Sequence, residues 1–181
     1  MKRRIGVISL LIVGSFILLG TLMAQRLDLG IDLTKTLFLP SSTHLFGFDH
    51  LGRDLLVQVA AGGFLAFKIA ASTVFFVFWL ALFFSLASVW GPKWLQVLAI
   101  RTIDLVLAFP GFLVVLALSA VMQPSFSSMV LTLSISSWAG FARVLRSELL
   151  ILRSGTLVMA AEAIGASRAR QIVFHTLPQL Y

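Results

Sequence analysis

The chain has 181 residues, of which 59% are hydrophobic and 12% are charged, and its mean hydropathy is +1.02. Charged residues normally make up about a quarter of a chain, so this composition excludes an ordinary soluble domain and indicates a membrane protein. The 14 basic residues outnumber the 7 acidic ones, but they fall between apolar runs instead of gathering on a polar face. Nucleic-acid binding is therefore not expected.

Residue types that carry metal or covalent chemistry are scarce. The sequence contains no cysteine, which excludes disulfides and thiolate metal sites. Its histidines, His44, His50 and His175, are far apart and form no paired ligand motif, so we expect no metal site. The sequence shows no phosphate-binding loop and no nucleophile–base pair, so we expect neither a cofactor nor an enzymatic activity in this chain.

Four long apolar runs predict four transmembrane helices in an all-α membrane protein. Each run has about 20 residues, the length of helix that crosses a hydrocarbon core roughly 30 Å thick. The first run is longer than the apolar region of a signal peptide, so a membrane helix is favoured over a cleaved leader. The third contains Pro110 and Gly111, which predict a kink. The runs cover residues 5–24, 69–90, 105–122 and 126–144.

The intervals between these runs give a domain plan and an orientation. We expect residues 1–24 to form an N-terminal transmembrane helix and residues 25–63 to form an external loop with a short helix from about Asp49. Residues 64–181 then form a transmembrane domain that ends in a cytoplasmic segment. With a cytoplasmic N-terminus, most of the basic residues lie inside, as the positive-inside rule requires.

Polar residues within or beside the predicted spans are interpreted mainly as structural. The fourth run is rich in serine and threonine, which allow close helix packing, so it is predicted to lie inside a bundle. Direct contact of these hydroxyls with a substrate is the less favoured alternative. Arg101 and Asp104 are three residues apart, and we expect them to pair at the membrane edge.

The basic, amphipathic stretch after the fourth run carries the strongest functional signal. Thr156 is a suitable N-cap, and Gly165 suits a left-handed helix end. Ser167 can then cap a second helix, which Pro178 stops. The residues predict two short helices joined at a glycine, and leave two roles open: resting on anionic lipid, or docking to a cytoplasmic partner.

This stretch resembles the cytoplasmic EAA loop of binding-protein-dependent ABC transporter permeases. That loop has an acidic residue, two alanines, a glycine four residues further on and a Leu-Pro pair near its end. The matching positions in this chain are Ala160, Ala161, Gly165, Leu177 and Pro178.

A second stretch, FGFDHLGRDLL at residues 46–56, resembles the segment Gly-x-Asp-x-x-Gly-Arg-Asp of the dipeptide, oligopeptide and nickel branch of that family. The matching positions are Gly47, Asp49, Gly52, Arg53 and Asp54. The charges of this motif form either an exposed structural cluster or a docking surface for a substrate-binding protein. RTIDLVLAFPGFLVVLAL and WAGFARVLRSELL are also similar to that branch, so the resemblance covers roughly residues 41–181.

The resemblance implies a peptide permease subunit in the bacterial inner membrane, with ATP hydrolysis left to a partner. Its implied partners are a second permease subunit, cytoplasmic ATP-binding subunits and an extracytoplasmic substrate-binding protein, besides membrane lipid. The EAA loop would insert into an ATPase subunit as a coupling helix. The residues expected to form or support that contact are Ala160, Ala161, Gly165, Ala166, Arg168, Leu177 and Pro178.

Two features depart from the family pattern. Met159 stands where the acidic residue is usual; with Thr156 as N-cap it is the third helical residue, where a glutamate could bond back to the cap. The family has six spans, two of them after the Leu-Pro pair, so we expect a shortened permease with a partial permease domain at 64–181. A non-transporting scaffold or remnant that docks to partner subunits is the alternative function, and nickel or another small solute is the alternative substrate.

Overall fold

The fold is described by a computed structural model that covers residues 14–15 and 31–179. Almost all of the first predicted span, residues 5–24, lies outside these residues. Within the described ranges the secondary structure is helical, with no β-strand and a single bridge between Phe48 and Asp54. The helical class predicted from the sequence is confirmed for this part of the chain. The chain divides after Ala70 into two compact units.

The first unit contains a folded loop and the start of a long helix. A 3₁₀ turn at Leu33–Lys35 is capped by Asp32, whose carboxylate accepts a hydrogen bond from a backbone N–H at 3.2 Å. Helix α1, Leu55–Trp90, begins after Asp54, whose Oδ1 accepts from the second N–H of the helix at 2.9 Å. An aspartate at this position satisfies N–H groups that have no partner within the helix.

The structure corrects where this helix begins. We expected a separate short helix from about Asp49 and a span from residue 69. Instead, the Gly52 N–H donates to the Asp49 carbonyl to form a turn, and one 36-residue helix begins at Leu55. The predicted span began too late because Gln58, the Gly62-Gly63 pair and Lys68 interrupt the apolar run, although all of them lie within the helix.

In the second unit, α1 is followed by three further long elements. These are α2, Lys93–Leu107, α3, Gly111–Val121, and α4, Phe126–Arg153. α2 and α3 meet at an angle of 79°. Pro110 lies at this break, since proline has no N–H to continue a helix and disfavours helical geometry at the residue before it. The predicted kink is confirmed, and it is a full break between two helices.

Length and composition indicate how many of these helices cross a membrane. α1 and α4 are each long and apolar enough to do so, and the bent pair of α2 and α3 makes up a third span if it crosses as one unit. The remaining predicted span, residues 5–24, falls outside the described residues. Four spans therefore stay a prediction.

α1 and α4 pack together through small side chains. Ala81, Ala139 and Ala142 are fully buried and form one cluster with Trp138. The buried hydroxyl of Ser85 on α1 donates to the backbone carbonyl of Ala142 on α4 at 2.9 Å. Small residues at such a contact let the two backbones approach closely, and a hydroxyl links one helix to the other.

The hydroxyl-rich start of α4 is used within the chain itself. Ser125 and Ser128 form a capping box at its first turn. Thr132 and Ser134 are buried, and Ser134 donates to the Val130 carbonyl at 2.6 Å. These contacts support the interpretation of this helix as an interior packing element.

Replacing Ala142 by leucine tests the packing of α1 on α4. Because Ala142 is fully buried, we expect Ala142→Leu to destabilise the protein by about 1–3 kcal/mol through overpacking. Ala120→Leu, at an exposed position on α3, is the control and should leave stability unchanged. The measurement is the thermal unfolding midpoint of the detergent-solubilised protein, and equal midpoints for the two variants would contradict the packing.

Candidate functional site

The residues predicted to carry function fall into two groups, one in each unit. The first group, Gly47, Asp49, Gly52, Arg53 and Asp54, belongs to the loop before α1. The second group lies in residues 155–179, which we call the C-terminal segment. Its members are Ala160, Ala161, Gly165, Ala166, Arg168, Leu177 and Pro178.

The Asp49 carboxylate organises the loop before α1. Its Oδ1 accepts hydrogen bonds from the backbone N–H groups of Leu51 at 2.8 Å and Arg53 at 2.9 Å. Its Oδ2 accepts from the Arg53 guanidinium at 2.9 Å and from the Gln58 amide at 2.9 Å. A single side chain therefore ties the turn, the arginine and the first turns of α1 together.

This carboxylate stays ionised well below neutral pH. Burial would raise the pKa of Asp49, but hydrogen bonds from the Arg53 N–H, the Gln58 amide and the Leu51 N–H outweigh it and hold that pKa well below its usual range. A carboxylate with a lowered pKa stabilises the folded state above its unfolded pKa of about 3.9, and this contribution is lost as the pH falls further. The loop is therefore fully stabilised at neutral pH.

The two glycines of the motif are required by the backbone. Gly47 has φ of +69° and Gly52 has φ of +70°, in the left-handed region that favours glycine. A Cβ atom at Gly52 would overlap the backbone carbonyl oxygen of Asp32, and one at Gly47 would overlap that of Phe38. Glycine at both positions therefore lets the loop lie close to the backbone of the preceding residues.

Asp54 joins the loop to α1. While its Oδ1 caps the helix, its Oδ2 pairs with Nδ1 of His44 at 2.7 Å. The His44 ring in turn lies on Phe48, with 4.5 Å between the ring centroids. All five motif residues are thus engaged in holding the loop, and the exposed large apolar side chains of the described loop before α1 belong to their neighbours. These are Ile31, Leu33, Leu37, Phe38, Leu39, Leu45 and Phe46.

The C-terminal segment begins with α5, Thr156–Ala163, and the structure corrects its cap. Gly155 is the N-cap, with extended backbone geometry, so Thr156 is already the first helical residue. Met159 is then the fourth helical residue, and its N–H bonds to the Gly155 carbonyl at 3.1 Å. The capping box that we expected Met159 to disrupt does not apply at this position, because that bond forms from the third helical residue.

Gly165 ends α5 as predicted. It has φ of +78°, and its N–H donates to the Glu162 carbonyl at 2.9 Å. The Ala166 N–H donates to the Ala161 carbonyl at 2.9 Å, which completes a Schellman motif. Ser167 caps the next turn through its side chain, so its predicted role is also confirmed.

The prediction of a second regular helix is only partly right. Helix α6, Arg168–Arg170, is one turn long and continues into a π-helical turn, Gln171–Thr176. The buried hydroxyl of Thr176 donates to the carbonyl five residues earlier at 3.1 Å, which supports the wider turn. Pro178 lies in the final 3₁₀ turn, Leu177–Gln179.

The predicted docking residues do not share one surface. Ala161 is only 4% exposed and packs inside the chain together with Val158. Ala160 and Gly165 are exposed, and Ala166 is half-buried. The remaining exposed members are Arg168 and Pro178.

The residues predicted from the sequence did not include two exposed apolar ones, Leu157 on α5 and Ile164, the C-cap of that helix. Leu157 is 61% exposed and Ile164 is 85% exposed. With Ala160 they stand at positions i, i+3 and i+7, which is the spacing of one helix face. The i, i+3, i+7 spacing is visible in the sequence, but it does not by itself distinguish an exposed face from a buried one.

Asp104 pairs across helices and not along its own. The prediction of a pair with Arg101 is wrong: Arg143 Nη2 on α4 donates to Asp104 Oδ1 on α2 at 2.7 Å. The packing of α2 on α4 brings the two side chains together. This pair links the helix before the Pro110 break to α4.

Comparison with known protein families identifies the class to which this chain belongs. Residues 78–181 match the family described as the inner membrane component of binding-protein-dependent transport systems. The match covers more than half of the chain, and the chain belongs to this family.

Three relatives illustrate the branch. The dipeptide transport system permease protein DppC of Alkalihalophilus pseudofirmus is 31% identical over 98% of this chain and 59% of its own length. A putative peptide permease protein of Brucella ovis is 30% identical over 82% of this chain and 49% of its own. A putative peptide transport system permease protein of Brucella suis is 31% identical over 97% of this chain and 59% of its own length. The chain spans between half and three-fifths of the length of these relatives.

A methyl group at Gly52 tests the loop geometry. We expect Gly52→Ala to lower the yield of folded protein sharply, because the Cβ would overlap the Asp32 carbonyl and the positive φ would be strained. Gly62→Ala is the control: nothing lies within 4 Å of its added Cβ on α1, and alanine favours a helix by about 1 kcal/mol over glycine. Fluorescence-detected size exclusion reports both, and a Gly52→Ala variant as well folded as Gly62→Ala would contradict the loop.

Proposed function

We propose that this chain is a permease subunit of an ATP-driven peptide importer, which forms part of the translocation pathway and couples it to ATP hydrolysis by a partner subunit. The family match supports the transport role. The peptide substrate is supported by the names of three relatives, all described as dipeptide or peptide permeases. The observation that carries the coupling role is the exposed apolar face of α5 beside its glycine hinge.

That face is suited to a protein partner. Leu157 and Ile164 project away from the chain, and the small side chain of Ala160 lies between them. Exposed apolar residues grouped in this way mark an interaction site, and the alanine allows close approach of a second surface. Val158 and Ala161, on the adjoining side of α5, are buried against its own chain.

The remaining partners follow from the orientation. With the N-terminus in the cytoplasm, the C-terminal segment lies inside and meets the ATP-binding subunits. The loop before α1 lies outside, where its exposed apolar residues, Leu39 and Phe46 among them, face a substrate-binding protein. A second permease subunit completes the pathway, and the chain crosses the bacterial inner membrane several times.

A photoreactive probe on α5 tests the docking. The chain has no cysteine, so Ile164→Cys can be labelled uniquely with benzophenone in membranes that hold the cognate ATP-binding subunits. We expect an adduct with the ATP-binding subunit whose yield changes when nucleotide is added. Val121→Cys, at a position that is 86% exposed at the end of α3, is the control and should give none. Adducts with lipid alone at Ile164 would overturn the proposal in favour of a segment that rests on the membrane.

Thiol labelling tests the orientation. Ser154→Cys and Ser42→Cys place single thiols at exposed positions after α4 and in the loop before α1. In right-side-out vesicles, a membrane-impermeant maleimide should label residue 42 at once and residue 154 only after permeabilisation. The reverse pattern would refute a cytoplasmic C-terminal segment.

A further inference from the structure

The Trp90 end of α1 is held by two arginines from elsewhere in the chain. The last carbonyls of a helix have no partner within it. Arg168 Nη1, in the C-terminal segment, donates to the Trp90 carbonyl at 3.1 Å. Arg153 Nη1, at the end of α4, donates to the Val89 carbonyl, and its guanidinium lies 5.9 Å from the Trp90 ring centroid. The final two carbonyls of α1 therefore each receive a charged donor.

These hydrogen bonds form in a favourable electrostatic setting. The C-terminus of a helix carries partial negative charge, so a guanidinium is attracted to it beyond the hydrogen bond itself. Val89 is 1% exposed and Trp90 is 6% exposed, so water competes weakly for these carbonyls. Without the arginines the carbonyls would be buried and unsatisfied, which is unfavourable.

Apolar packing reinforces the same contact. Val89 and Trp90 form a buried cluster with Leu149 of α4, and Ile172 of the C-terminal segment packs against it. Ile172 follows Arg168 by four residues, so both reach the end of α1 from adjacent turns. Arg170 lies between them, is exposed, and its guanidinium has no hydrogen-bond partner within the part of the chain that the structure describes.

We propose that Arg168 and Arg153 are positioning residues that clamp, respectively, the C-terminal segment and the end of α4 to the Trp90 end of α1, so that the segment, α4 and α1 move as one body. This inference rests on the proposed coupling role of the segment. Without the clamp, a displacement at Ile164 would pass to the membrane helices through Ser154 and Gly155, which join α4 to α5, and through apolar contacts such as that of Ile172. With it, the same displacement also acts directly on α1.

The chemistry of the clamp distinguishes arginine from lysine. A guanidinium presents several donors in a fixed plane, whereas an ammonium is a single charge on a flexible stem. A lysine at position 168 keeps the charge near the Trp90 carbonyl but orients it poorly. Glutamine keeps a donor of shorter reach and loses the charge. The expected order of clamping is therefore arginine, then lysine, then glutamine.

Distances between two spin labels test the clamp in the full chain, reconstituted in lipid nanodiscs. Labels on cysteines at Phe83 of α1, 62% exposed, and Val173, 51% exposed, report the separation of α1 from the segment. We expect a narrow distance distribution in the parent, a clearly broader one in Arg168→Gln, and an intermediate one in Arg168→Lys. Arg170→Gln, which removes an equally basic side chain two residues away, should match the parent. Equal widths for Arg168→Gln and Arg170→Gln would overturn the proposal.

The same labels separate this inference from the proposed function. The distance needs no ATP-binding subunit, so a clamp present in the parent while the Ile164 adduct is absent would contradict the coupling role alone. In the assembled complex, the parent distance should stay the same with and without nucleotide, because the clamped elements move together. A nucleotide-dependent change in that distance would overturn the clamp, and this arm remains decisive even if Arg168→Gln fails to insert.

Discussion

Backbone groups at the ends of membrane helices must find partners, and much of this structure depends on how the chain supplies them. Water is scarce around such helices, so an unpaired carbonyl or N–H is costly. α1 begins on the Asp54 carboxylate and ends on the guanidinium groups of Arg153 and Arg168. α4 begins on a serine capping box formed by Ser125 and Ser128. The polar side chains of an apolar sequence are placed where helices start and stop.

This use of charge explains why the recognisable motifs are not themselves exposed contact surfaces. In the loop before α1, the carboxylates of Asp49 and Asp54 bind groups of their own loop and helix. In the C-terminal segment, Arg168 reaches back to α1, and Ala161 is buried. Exposed apolar side chains remain in both places, among them Leu39 and Phe46 in the loop and Leu157 and Ile164 in the segment. In this chain the loop motif residues and Gly165 determine the local shape of their segments, and under the proposed function neighbouring apolar residues form the contact surface.

The contacts around α5 matter for the proposed coupling role, because they link the C-terminal segment to the membrane helices. Gly155 and Gly165 bracket α5: the first is its N-cap and the second forms the left-handed turn that ends it. In the proposed clamp, the residues after the second glycine are fixed to α1. The Arg143–Asp104 pair gives α2 a comparable link to α4. Under the proposed coupling role, motion imposed on α5 would be shared among several membrane helices.

Local features of this protein could be predicted from the sequence, and non-local ones could not. The helical class, the break at Pro110, the hinge at Gly165 and the cap at Ser167 follow from residue properties that act within one or two turns. The partner of Asp104 and the role of Arg168 depend on residues 39 and 78 positions away. The spacing along one helix predicted Arg101 as the partner of Asp104, but the packing of α2 on α4 brings Arg143 to Asp104 instead. By itself, the sequence determined where helices form and break; the tertiary structure decided which charges meet, because that choice depends on which helix ends come together.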